Sequence, residues 1–402
     1  MKNFTELPLS DRLQSNLARN GFATPTPIQA LAIEPALAGR DLIATAQTGT
    51  GKTLAFTLPL IELLSKERGS RGAQAIVLSP TRELALQIHE VFTKLAAGTG
   101  IRAAAIVGGL GENPQLKAIR QGAQVLIATP GRLYDFLSRK LADLSSVRIL
   151  VLDEADRMLD MGFLPTITRM IDAMPATRQT LLFSATIESS VKHLVDRHVR
   201  DAVRVETGST TAPADNLDLH HYEVPQDAKF DLLRHILNEE PGSVLVFART
   251  KHGADRLAKK LAQNDIKSTA IHGDRSQNQR NQSLKGFKEG YYRVLVATDV
   301  AARGIHVDGI AHVVNYDLPQ VPEDFIHRAG RTARAGARGV ASLFSTLGER
   351  TEVKKIEGTL SVRFERKLAP GQTAPVIEMP SHKPAKSRAH VRSFRPKRRA
   401  VR

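Results

Sequence analysis

The chain has 402 residues, too many for one ordinary core and suited to two domains. Hydrophobic residues make up 42% and charged residues 24%, a globular composition, and the lack of cysteine excludes a disulfide framework or a Cys-based metal site. The net charge of +16 favours a polyanionic partner, nucleic acid before an acidic membrane.

Residues 1–13 contain no apolar core of a secretory signal, and the longest apolar stretch, 54–64, is broken by Pro59 and Glu62 and too short to span a bilayer. A cytoplasmic protein is expected, with no membrane partner. Short β-branched apolar runs then alternate with amphipathic helical stretches, which predicts an α/β fold: parallel sheets with crossover helices. In the first half the runs are 41–45, 75–79, 103–107, 125–129, 149–152 and 180–183. In the second they are 244–248, 268–271, 294–298, 312–316 and 341–345. Most are near-continuous apolar strings, as strands covered on both faces should be. The small polar stretch 208–217 reads as a linker. Domain one is expected at 1–207, domain two at 218–368, and a basic disordered tail at 369–402. Of the +16, nine charges lie in residues 381–402, which contain no Asp or Glu; without an amphipathic apolar face they point to a flexible RNA tether rather than a membrane anchor.

A phosphate loop follows the first strand: Ala46, Gln47, Thr48, Gly49, Thr50, Gly51, Lys52 and Thr53. Small residues let backbone N–H groups approach phosphates, and the following helix N-terminus favours negative charge. Lys52 is expected on the β/γ-phosphates and the Thr53 hydroxyl on Mg²⁺. Ala46 stands where the strict pattern has Gly. About a hundred residues later, the strand 149–152 runs into Asp153, Glu154 and Asp156. Alone, such a cluster is more often a helix N-cap. Beside a phosphate loop, Asp153 is expected to hold Mg²⁺ and Glu154 to activate the attacking water.

With Asp-Glu-Ala-Asp at 153–156, the chain resembles the DEAD-box ATP-dependent RNA helicases, and further motifs of that family occur in order over about residues 4–345. The resemblance implies two tandem RecA-like domains that hydrolyse ATP, with Mg²⁺, in the cleft between them while gripping RNA. It implies that Gln29 reads the adenine edge, that Phe22 stacks on the ring and that Phe4 supports it. Pro80, Thr81, Arg82, Gly108, Gly109, Thr129, Pro130, Gly131 and Arg132 resemble the RNA-backbone contacts of domain one. Gly273 resembles an RNA contact of domain two, and the segments of Gln277, Arg280 and Thr298 resemble its RNA and interdomain contacts. Asp156, Ser184, Thr186, Asp299, Arg303 and His327 resemble segments that couple the ATP state to domain closure. Arg331 and Arg334 match the arginine fingers. The segments 244–254 and 321–334 look most like the stand-alone bacterial branch called RhlE. The chain departs from the family at His306, where Asp is usual, and at Ala329 and Ala333.

Contacts to sugar and phosphate carry no sequence information, so RNA of any sequence is expected to bind. Local opening of short duplexes is what the family implies. A slowly cycling ATP-gated RNA clamp and a DNA translocase are the rival readings. His193, His198, His220, His221 and His235 lack metal-ligand spacing, and Met158, Met161, Met170 and Met174 sit at the spacing of a helical core face.

Overall fold

The structure, a computed structural model, describes residues 3–46, 49–66, 72–187, 189–207, 216–299, 307, 309–333 and 338–370. Two sheets divide the chain. The first comprises β1 (Leu42–Thr45), β2 (Ala75–Leu78), β3 (Ala103–Ile106), β4 (Val125–Ala128), β5 (Ile149–Leu152), β6 (Gln179–Ser184) and β7 (Val203–Glu206). Their order is β3-β4-β2-β5-β6-β1-β7, with every pairing parallel. The second comprises β8 (Leu217–Glu223), β9 (Ser243–Phe247), β10 (Ser268–Ile271), β11 (Val294–Ala297), β12 (Ile310–Asn315), β13 (Gly339–Ser345) and β14 (Glu365–Lys367). Its order, β10-β11-β9-β12-β13-β8-β14, is also all parallel. Matched strand for strand, the two orders are identical, so the halves share one architecture without sharing an obvious sequence.

The strands form as the apolar runs predict because both faces are covered. In β2, Ala75 and Val77 join one core with Phe56 and Phe183, while Ile76 and Leu78 join another with Phe136 and Leu150. Complete burial of each Ile, Leu or Val stabilises by roughly 1.5–3 kcal/mol. Three strands escaped the sequence reading: β7, β8 and β14. β7 and β14 are sheet edges, and β7 alternates between half-buried and exposed residues. The pattern of β8 is half-buried and carries two histidines, and β14 is Glu-Arg-Lys. Such strands read as polar alternation or loop, not as apolar strings.

The crossover helices that bear on the site are α1 (Asp11–Arg19), α2 (Pro27–Leu37), α3 (Lys52–Lys66), α4 (Arg82–Leu95), α5 (Glu112–Arg120), α6 (Pro130–Ser138) and α7 (Ala155–Asp160). After α8 (Leu164–Asp172) and α9 (Ser189–His198), the second domain adds α10 (Lys229–Glu239), α11 (Lys251–Ala262), α12 (Gln277–Lys288), α13 (Pro322–Ala329) and α14 (Arg350–Leu360). Met158, Met170 and Met174 are core, as their spacing predicts, but Met161 is half-buried and lines a groove described below. No described helix is long and apolar enough to cross a membrane.

Candidate active site

Open parallel sheets place ligands at the carboxyl ends of their strands. The loop after β1 carries the phosphate-loop residues into the N-terminus of α3. Gly49 (φ 89°) and Gly51 (φ 92°) occupy the left-handed region that favours glycine. A Cβ at Gly51 would also overlap Gln29 Nε2. Lys52 is buried, and its Nζ donates to Ala46 O at 2.9 Å. Thr50 and Thr53 are half-buried at the mouth of the loop, while Gln47 and Thr48 lie outside the described residues.

Gln29 is tied into this loop. Its Oε1 accepts from Thr26 N at 2.9 Å, capping α2, and its Nε2 donates to Gly51 O at 2.9 Å. One amide hydrogen and one lone pair remain for another partner. Phe4 is buried in the core that Phe22 packs against.

The acid pair stands at the end of β5. Asp153 and Glu154 are both 3% exposed. Asp153 Oδ1 is sealed from solvent without a hydrogen-bond partner. Burial pushes the Asp153 carboxyl up to about 7, against the pull of Lys52 and with a further push from Glu154. A buried carboxylate oxygen of this kind suits a cation. Mg²⁺ needs only one or two protein oxygens, since it keeps waters and takes phosphate. Asp153 therefore fits the ion.

Glu154 adopts φ 51°, ψ 53°, a left-handed conformation uncommon outside glycine. It occupies the N-cap position of α7, yet its side chain makes no capping bond. The N-cap alternative is thus set aside: this carboxylate is not spent on the helix. Arg157 Nε lies 3.7 Å from Glu154 Oε2, both side chains being buried. Asp156 performs a different task. Its Oδ2 accepts from Ala185 N at 2.9 Å and Thr186 N at 3.0 Å. Ser184 Oγ accepts from Asp156 N at 3.2 Å and donates to Thr186 O at 2.7 Å. Asp156, Ser184 and Thr186 thus form one hydrogen-bonded unit linking β5 to β6.

The second domain meets this site at a narrow gap lined by Arg157, Asp299, Asp324, His327, Arg328 and Arg331. Arg331 is 2% exposed, and its Nε donates to His327 O at 3.2 Å. Arg328, which the motif reading passed over, grips Asp299 with two bonds of 2.6 and 2.7 Å. Arg303, His306 and Arg334 lie outside the described residues.

A groove of about 510 Å³ runs beside the active site. From the first domain it is lined by Pro80, Thr81, Arg82, Glu83, Gly108, Gly109, Thr129, Gly131, Arg132, Asp135, Met161 and Phe163, and from the second by Arg280. Thr81 Oγ1 accepts from Leu84 N at 3.3 Å, opening α4, and Thr129 with Pro130 opens α6. Two helix N-termini therefore face the groove, a setting that favours anions. Arg82 Nη1 donates to Gly108 O at 3.3 Å and Arg132 Nη1 to Leu110 O at 3.4 Å. Gly109 (φ 76°) occupies the left-handed region that favours glycine, and a Cβ there would push the tip of Arg82 aside.

Arg280 and Gln277 also reach across the domains. Arg280 Nη2 lies 2.9 Å from Glu83 Oε2, and Gln277 Nε2 donates to Glu83 Oε1 at 3.0 Å. All three residues are buried. Glu83 directly follows the expected RNA contacts Pro80, Thr81 and Arg82, and the motifs alone do not single it out. The signal available is a carboxylate at the start of the otherwise apolar face that α4 buries through Leu84, Ala85, Ile88 and Phe92. Gly273 has open space around it, and Thr298 N donates to Ile271 O at 3.3 Å.

Comparison with known proteins agrees with this geometry. Residues 26–194 match the DEAD/DEAH box helicase family, and residues 228–336 match the helicase conserved C-terminal domain. The DEAD-box ATP-dependent RNA helicase CshA of Bacillus cereus is 42% identical over 371 residues, covering 92% of this chain and 70% of that one. CshA of Geobacillus kaustophilus is 42% identical over 373 residues, covering 92% and 79%. Among solved structures, S. cerevisiae Dbp5 bound to RNA and ADP BeF3 superposes with a TM-score of 0.83 at 34% identity, covering 92% of this chain and 96% of that one. A DEAD box protein from Methanococcus jannaschii, 36% identical and covering 91% and 99%, reaches only 0.54. Two RecA-like domains facing each other across Asp-Glu-Ala-Asp, with these family matches on either side of the cleft, make the chain a member of the DEAD-box helicase family.

Proposed function

We propose that this chain is an ATP-dependent RNA helicase, which couples ATP hydrolysis and closure of two domains to local unwinding or remodelling of RNA. The observation that carries the reading is the gap between the domains, with Arg157, which lies 3.7 Å from Glu154, on one wall and the buried Arg331 on the other. Lys52 and Thr53 would hold the phosphates, Asp153 with Thr53 would hold Mg²⁺, and Glu154 would orient the attacking water. Bound Mg²⁺ would supply charge neutralisation on the phosphates. Arg331 and Arg334 would stabilise the transition state from the facing domain. Gln29, joined to Gly51, would tie base recognition to the phosphate loop, with Phe22 on the ring and Phe4 behind it. The Asp156–Ser184–Thr186 unit, with Asp299, Arg303 and His327, would carry the state of the site to the domain interface. Single-stranded RNA would lie in the groove, its phosphates on the α4 and α6 N-termini and its path continuing past Gly273, Gln277, Arg280 and Thr298.

The proposed boundaries are 1–207, 208–217 and 218–368, with a basic tail that tethers RNA. Within the family, the segments 244–254 and 321–334 support a reading as a member of the RhlE-like bacterial branch, which would act on RNA in the cytoplasm. The decisive assay measures ATP hydrolysis with single-stranded RNA, single-stranded DNA or no nucleic acid. Strong stimulation by RNA alone is the expected result; equal stimulation by DNA would favour a DNA translocase.

Glu83 makes the closure reading testable. Glu83→Ala would leave Arg280 buried without its carboxylate, a situation that costs about 3–5 kcal/mol at a buried pair. That cost falls on the closed arrangement. RNA affinity in the presence of a non-hydrolysable ATP analogue is therefore expected to drop by roughly 10²-fold or more, with nucleotide-free affinity nearly unchanged. Equal losses with and without the analogue would mean that Glu83 supports the first domain alone.

A further inference from the structure

One fully buried cation of the second domain belongs to none of the motifs. Lys229 opens α10 and is 1% exposed. Its Nζ donates to Tyr316 O at 3.1 Å and lies 3.9 Å from Asp317 Oδ1 and 3.8 Å from Glu349 Oε2. Burial draws its pKa down, while Glu349 and Asp317 draw it back up. An ammonium persists at such depth only where acceptors surround it.

What it holds is a bend at the carboxyl edge of the sheet. Tyr316 and Asp317 directly follow β12, which pairs with β9 on one side and β13 on the other. Tyr316 O faces the ammonium, and Asp317 Oδ2 accepts from Arg249 N at 2.8 Å. The next carbonyl, Asp317 O, accepts from Arg328 Nη1 at 2.8 Å. The same Nη1 donates to Asn315 Oδ1 at 2.9 Å, and the guanidinium sits 4.9 Å above the Phe247 ring. The other side of the guanidinium grips Asp299. Arg331 follows three residues after Arg328, on the gap it shares with Arg157 of the first domain.

We propose that Lys229 is a positioning residue for ATP hydrolysis: its ammonium fixes the Tyr316–Asp317 bend, the bend holds Arg328, and Arg328 sets Arg331 and Asp299 against the first domain. Removing the charge leaves Tyr316 O without its donor and leaves the Asp317 and Glu349 carboxylates without the cation between them. The bend then spreads, and Arg328 loses an acceptor. A displacement of about 1 Å at a catalytic group can cost about 10²-fold in rate, so a contact this far from the phosphates can still govern turnover.

The proposal rests on the helicase reading; RNA-stimulated hydrolysis by the unaltered chain tests that reading, and only the variants test Lys229. Full-length Lys229→Met, which keeps the aliphatic volume, is expected to fold. It should lower kcat at saturating RNA by about 10- to 10²-fold, with the ATP KM within about threefold and nucleotide-free RNA affinity unchanged. Lys229→Arg, which restores a cation, should recover most of kcat. A folded Lys229→Met with unaltered kcat overturns the proposal, as does Lys229→Arg no better than Lys229→Met. If Lys229→Met does not fold, Asp317→Asn serves. It removes a carboxylate beside the ammonium and spares the carbonyl that Arg328 uses. A several-fold loss of kcat at constant KM supports the proposal, and unchanged kcat overturns it.

Discussion

Glu154→Gln is expected to bind ATP and RNA and to lose at least ~10² in turnover. The substitution keeps the shape of the side chain and an acceptor oxygen but removes the basic carboxylate. Three observations single Glu154 out among the acids at the end of β5. Asp153 stands next to Lys52, with a sealed oxygen that suits a metal ion. Asp156 is occupied by the backbone of Ala185 and Thr186. Glu154 alone is held in a left-handed backbone conformation without using its side chain as a cap. That conformation costs of order 1–3 kcal/mol and persists only where the surrounding structure enforces it. Arg157, 3.7 Å away, complicates the outcome, because the amide weakens a buried ion pair. A thermal melt of the variant separates the two effects: lower stability with normal turnover would assign Glu154 a structural role. Near-normal turnover in a fully folded variant would end its assignment as the base.

How much of this could be read beforehand depended on contiguity. The phosphate loop, the acid pair and Thr129–Arg132 are runs of adjacent residues, and local sequence contains all the information they need. The central strands were equally legible, because burial on both faces writes an unbroken apolar string such as Ile149–Leu152. The edge strand β14 was not, since its residues are all charged and meet β8 through polar contacts, Glu365 with His220 and Arg366 with His221, which leave no apolar run to read. Pairings across the fold were also out of reach. The resemblance implies RNA and interdomain contacts around Arg280, but not that its partner is Glu83 of the other domain. Whether those side chains meet depends on how α4 and α12 face each other after two sheets have formed, which no local pattern encodes. His221 shows a milder case. Its spacing implies a structural or solvated ring, and it is buried, bonded to Ser345 Oγ at 2.7 Å, with burial holding its pKa down to about 4. The ring is therefore neutral near pH 7.

Arg331→Ala should cost about 10³-fold or more in RNA-stimulated turnover, the scale of an arginine finger in other NTPases. Arg331 is 2% exposed, and its neighbour across the gap, Arg157, lies beside Glu154. In that low-dielectric setting a guanidinium aimed at developing phosphate charge is worth far more than at the surface. The effect belongs to closure. ATP binding by the first domain, through Lys52, Thr53 and Gln29, should be nearly unaltered, and the loss should appear in kcat rather than KM. Arg331→Lys keeps the charge but not the planar fork, so it should recover only part of the loss. Arg334→Ala tests the second finger on the same terms. Because ATP and RNA each favour the closed state, Arg331→Ala should also weaken the mutual tightening of the two ligands. The controls are a melt of each variant and a chain ending near residue 207. If that shortened chain hydrolyses ATP as fast as the full one, the second domain supplies no catalytic group, and Arg331 is a packing residue that happens to face the cleft.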